Sequence, residues 1–187
     1  MDSKVMGVIE EQIAVRFTGK VNILASFNRQ FLGHIIFKDG EVIQVSFNTH
    51  QGLKAFSQLL IQEYSLNSFD YVVEPELVSE EQRRIHYPFS VVKKKMADVL
   101  KLHRESLKLR PPENVKIVID SEFIEDTLPV NENEFDVLKT LTEWNNAYDI
   151  YQHCNLMDHE ITMALVSLRK KGALKIIGRG SHEITKA

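Results

Sequence analysis

The chain has 187 residues, 43% of them hydrophobic and 26% charged, with a net charge of −3 and a single cysteine. That length and composition suit one or two globular domains with a real apolar core. They exclude an internal disulfide framework and argue against bulk, sequence-independent nucleic-acid binding. No apolar run is long enough to cross a bilayer, and the first twenty residues mix acids with apolar residues and lack a continuous signal-peptide core. A cytoplasmic protein with no membrane insertion is expected.

Charge is unevenly spread. Nine basic residues against two acidic ones between Arg83 and Arg110 give +7, and one basic against eight acidic between Pro111 and Asp136 give −7. Either the two segments neutralise each other or a basic helix is left open for an acidic partner.

In chain order, Val5, Val8, Ile9 and Ile13 recur at helical spacing, predicting a helix over 5–15. Strands follow over 20–26 (KVNILAS) and 30–37 (QFLGHIIF), with a turn at Asn28-Arg29. Asp39-Gly40 is the strongest hairpin signal, since a tight type I′ turn needs positive φ at both central residues. The extra apolar positions Ile36, Val42 and Ile43 predict a sheet with little of either face bare. Leu53, Phe56, Leu59 and Leu60 then form a helical stripe beside Ala55, and 69–73 (FDYVV) is a short strand stopped at Glu74-Pro75.

A second segment, 79–130, opens toward Pro88, which suits a helix start. Val92, Met96, Val99, Leu100, His103 and Leu107 make 89–109 amphipathic, and Pro111-Pro112 end it. Residues 115–119 read as a strand and 121–130 as acidic, irregular chain. In the third segment, 131–187, Asn131 or Asn133 caps a helix with Phe135, Leu138 and Leu141. A short helix holds Ile150 and Tyr151. A third, capped by Asp158, carries Ile161, Ala164, Leu165 and Leu168 and stops at Gly172. A strand over 173–177 turns at Gly178-Arg179-Gly180 toward 182–185, completing a winged-helix plan. The expected fold class is α+β: a small antiparallel sheet covered by helices over 1–78, a long linking helix, and a C-terminal winged-helix-like bundle.

Chemistry-bearing patterns are sparse. The glycine-led helix at Gly52 has one glycine and no Lys-Ser/Thr pair, so it is no P-loop and reads as a cover for the hairpin's apolar face. His153, Cys154, Asp158 and His159 lie close in sequence but match no metal-ligand spacing. Cys154 has no glycine-rich turn beside it, and no Gly-x-Ser-x-Gly elbow occurs. No catalytic residue, metal ligand or cofactor is therefore expected. A DNA-binding reading of the C-terminal segment would use Arg169, Lys170 and Arg179, although its third helix opens with Asp158, His159 and Glu160, acidic where base edges would be met.

The first segment resembles the PATAN domain of bacterial signalling proteins. The resemblance rests on GKVNIL (19–24), GHIIFKDGEVI (33–43), GLKAFSQLL (52–60) and SFDY (68–71), in that order and spacing. It departs at Val45, where a small residue is usual, and at 66–68, which lack a glycine. The C-terminal helical segment is similar to the tail that often follows this domain. The resemblance implies a non-catalytic signalling adaptor acting beside receiver domains, as in two-component systems, or beside small Ras-like GTPases. Lys93, Lys94, Lys101 and Arg104 on the basic helix are the interface candidates.

Overall fold

The computed structural model describes residues 3–65, 68–121, 123 and 129–177. It is an α+β structure in two compact units, 1–101 and 102–187. The division falls inside one helix.

The first unit begins with α1 (Lys4–Ala14), capped by the Ser3 hydroxyl, which accepts the Met6 N–H. β1 (Gly19–Ala25), β2 (Phe31–Lys38), β3 (Glu41–Phe47) and the two-residue β4 (His50–Gln51) form an antiparallel meander. After α2 (Gly52–Tyr64), β5 (Phe69–Pro75) returns beside β1, giving the order β4-β3-β2-β1-β5. The hairpin forms as the sequence dictates: Asp39 and Gly40 have φ of 52° and 82°. β5 runs two residues beyond its expected stop, through Glu74 to Pro75, which lie opposite Lys20 and Gly19. Proline is tolerated because β5 is an edge strand, where its missing N–H interrupts no inner ladder.

Alternation sets the core face. Val21, Ile35 and Val45 share one row; Ile23, Gly33 and Phe47 share the next. Those side chains pack under Ala55, Phe56, Leu59 and Leu60 of α2 and Val5 and Ile9 of α1, all 2% exposed or less. The glycine-led helix is thus a lid on the sheet. Gly33 is required in its row because a Cβ there would lie 2.0 Å from the Ser46 carbonyl oxygen.

The other face is more open than the sequence suggests. Lys20, Asn22, Leu24, His34, Gln44 and Ser46 are half-buried on it, and Ile36 and Ile43 are fully covered. Ile43 is the extra residue of a bulge: Ile36 faces Gln44 while Phe37 faces Val42. This explains how Val42 and Ile43, adjacent in sequence, are both buried. The Ile43 carbonyl accepts the N–H groups of Arg84 and Ile85 at 2.8 and 2.9 Å. Segment 84–85 therefore occupies a carbonyl of β3 that β4 is too short to reach, protecting part of an otherwise open edge. Ion pairs from Lys38 to Glu80 (3.0 Å) and Arg83 to Glu41 (3.0 Å) fix the same segment.

α3 (Phe89–Leu107) starts after Pro88, whose carbonyl accepts the Val91 and Val92 N–H groups, and ends two residues short of the expected 109. Its first thirteen residues belong to the first unit, where Val92, Met96 and Leu100 join the sheet's core.

In the second unit, β6 (Lys116–Ile119) pairs antiparallel with β7 (Leu174–Ile177). The sequence expects β7 to pair with 182–185, which lie outside the described residues. Ser121 and Phe123 have helical backbone, where irregular chain is expected. α4 (Glu132–Leu141), α5 (Ala147–His153) and α6 (Asp158–Lys170) enclose a core of Val137, Leu141, Ile150, Ile161, Leu165 and Leu168. Asn131 caps α4 in a full capping box with Glu134. Asp158 is not the cap of α6 but its first residue; Met157 precedes it, with its N–H on the Glu160 carboxylate at 2.8 Å. Among the described residues no helix is long and apolar enough to cross a membrane.

Candidate interaction surface

The sequence leaves open which face of the basic helix is exposed. Burial decides it: Val92, Met96 and Leu100 are 3% exposed or less, and Lys93, Lys94, Lys95 and Lys101 all face solvent. At 100° per residue, Lys94 and Lys101 fall within one narrow sector opposite the buried stripe. Lys93 and Lys95 flank it. These flanking lysines are engaged, Lys93 with the Glu10 carboxylate of α1 and Lys95 over the Tyr87 ring at 4.6 Å. Lys94 and Lys101 make no ion pair among the described residues. Arg104 is exposed, belongs to the second unit, and has an interaction of its own.

Beside this basic face runs a groove of about 290 Å³ between α1 and α3. Met6, Gly7, Leu60, Met96, Ala97 and Leu100 give it an apolar lining, and Glu10 and Lys93 close one wall. It stays open because two lining residues are small: a Cβ built on Gly7 would meet nothing within 4 Å. The sequence signalled the lysines but not the groove, because Gly7 and Ala97 are ninety positions apart and neither is conspicuous alone.

Some members of the basic and acidic blocks find partners one by one. Arg83 binds Glu80 and Glu41, Lys93 binds Glu10, and Arg110 binds Asp158 at 2.7 Å. On the acidic side, Asp120 pairs with Lys175 (2.8 Å) and Glu134 with Lys171 (2.6 Å). Burial raises the Glu134 carboxyl, but the Lys171 and Ser167 side chains and the Asn131 backbone outweigh it and hold the group below its ordinary range.

Of the DNA-contact candidates, Arg169 and Lys170 are exposed at the end of α6, and Arg179 lies outside the described residues. Arg169 edges a second groove, about 270 Å³, with Leu165, Val166, Ile117 and Ile176. The sequence cluster of His153, Cys154, Asp158 and His159 is dispersed. His153 stacks on Trp144 (4.0 Å between ring centroids), Asp158 pairs with Arg110, and Cys154 and His159 are buried. Among the described residues no group of three or more His, Cys, Asp or Glu is placed to hold a metal ion.

The class these observations define is an α+β protein with a helix-covered antiparallel sheet and a basic, grooved helix surface. The chain matches no family model, no curated protein and no solved structure.

Proposed function

We propose that this chain is a non-catalytic signalling adaptor, and that an acidic partner docks on the α1–α3 groove and the lysines beside it. The observation that carries the reading is the pairing of an open apolar groove with unneutralised Lys94 and Lys101 on the adjoining helix face. Apolar contact supplies affinity in such an arrangement, while the rim charges steer and orient the partner. The motif order resembling the PATAN domain supports a receiver domain or a small Ras-like GTPase as that partner.

The purified chain is titrated against a panel of receiver domains and Ras-like GTPases by interferometry. A salt-sensitive complex is expected, weakened about tenfold by Lys94→Glu with Lys101→Glu, at roughly 0.7 kcal/mol per rim charge. Gly7→Trp, which fills the groove, should abolish it. Full binding by both variants removes this surface from the proposal, and no binding across the panel overturns the adaptor reading. A salt-dependent DNA complex lost on changing Arg169 and Lys170 would instead favour a DNA-binding regulator.

A further inference from the structure

Two helices frame the α1–α3 groove over the same length. Ser3, Gly7 and Glu10 line it from α1, and Lys93, Ala97 and Leu100 from α3. Each set spans about two helical turns, or about 10 Å at 1.5 Å per residue. Between the walls lie Met6, Leu60 and Met96, all buried.

The polar groups of the lining are already engaged. The Ser3 hydroxyl accepts the Met6 N–H and donates to the Glu63 carboxylate, and Glu10 and Lys93 hold each other. Both walls are helices, whose backbone groups bond within the helix. An extended peptide laid between them would bury N–H and C=O groups without partners, whereas a helix satisfies its own. The groove's 290 Å³ is well short of the roughly 900 Å³ that two turns of helix fill with their side chains. A docked helix therefore rests across the mouth and inserts one stripe of side chains.

The two shoulders of the groove differ in charge. At 100° per residue, Lys101 and Lys94 lie about 40° and 60° beyond Ala97 on α3, and Glu11 lies about 40° beyond Gly7 on α1. All three are exposed and make no ion pair among the described residues. Lys4, the next residue round on the α1 shoulder, is drawn to the Phe69 carbonyl at 2.7 Å and to Asp70 at 3.7 Å. Asp98 is exposed about 100° beyond Ala97, on the side of the lysines away from the groove. The α3 shoulder is thus basic and the α1 shoulder acidic.

We propose, building on the adaptor reading, that the groove takes an amphipathic helix of the partner. About two of its turns dock through apolar residues at i, i+3, i+4 and i+7, with acids along the α3 side and neutral or basic residues along the α1 side. Turning such a helix end for end exchanges its flanks and sets its acids against Glu11. The shoulder charges therefore select one direction as well as one partner class.

The purified chain is offered a display library of helical peptides about eighteen residues long, apolar at i, i+3, i+4 and i+7 and random elsewhere. Binding is compared with Gly7→Trp and with Ala97→Trp, which fill the groove from opposite walls, so that either variant that folds by circular dichroism suffices. Selected peptides should bind the native chain at least tenfold tighter than the filled variant and carry acids along one side of the stripe. A central proline should weaken them about a hundredfold by breaking the helix. Selection on Lys94→Glu with Lys101→Glu should exchange the acids on that side for bases. A library with no groove-dependent member, groove-dependent peptides that tolerate the proline, or acids spread over both sides would each overturn the helix. The adaptor reading fails separately. A receiver domain or GTPase that binds at the groove when no helical peptide is selected refutes the helix alone, and selected helices with no binding across the panel refute the adaptor reading alone.

Discussion

Glu134 offers the sharpest test of how the second unit is held. Its side chain is almost wholly buried, and Oε2 accepts both the Asn131 N–H (2.8 Å) and the Lys171 ammonium (2.6 Å). One carboxylate thus closes the capping box of α4 and ties it to the end of α6. Removing one partner of a buried pair costs about 3–5 kcal/mol. Lys171 is 31% exposed and keeps the Pro129 carbonyl at 2.8 Å, so its loss is partly made good by water and that oxygen. Glu134→Ala should therefore destabilise by about 2–3 kcal/mol, and Glu134→Gln, which keeps an acceptor for Asn131, by about 1–2 kcal/mol.

Urea unfolding followed by the fluorescence of Trp144, the chain's one tryptophan, reports on this unit. With a slope of about 1 kcal/mol per molar, the alanine variant should lose about 2–3 M in midpoint. Because the Glu134 carboxyl is held below its ordinary 4.5, its ionisation stabilises the fold above that pH, and the benefit is lost as pH falls from 4.5 through the lower folded-state value. The glutamine variant should accordingly show a shallower acid limb below pH 4.5. Both variants within 0.5 kcal/mol of the parent (about the scatter of ordinary surface changes), with an unchanged acid limb, would refute the reasoning.

Two further predictions concern the first unit. Gly33→Ala sets a Cβ 2.0 Å from the Ser46 oxygen and 2.9 Å from the Phe47 Cα, so β2 and β3 must part; a loss of about 3 kcal/mol or more is expected in urea unfolding, and an unchanged midpoint would contradict the register. Gly7→Ala fills open space in the interior of α1 and should stabilise by about 0.5–1 kcal/mol; a fall in Tm would show that the groove wall cannot accept a methyl group.

Local chemistry made several elements readable from the sequence alone. Asp39-Gly40 accepts the left-handed backbone of its turn, the Leu53–Phe56–Leu59–Leu60 stripe suits only a helix with one buried side, and Asn131, one of two asparagines the sequence offers as a cap, is the one that caps α4. Each signal spans a few neighbours, so the sequence suffices. Asp158 misled because its residue type suits a cap; the structure gives it to Arg110, 48 positions away, and leaves the N-cap position to Met157.

What only the tertiary structure decided are the contacts between distant residues. The exposed face of α3 depends on the sheet that buries Val92, Met96 and Leu100, and the groove beside it on Gly7 and Ala97 lining the same space. β7 finds its partner in β6, with Ile177 opposite Lys116, 61 positions upstream. The Glu134–Lys171 tie has no local signature either. Periodicity records that a side chain will be buried, whereas the identity of what buries it is fixed only when remote segments pack together.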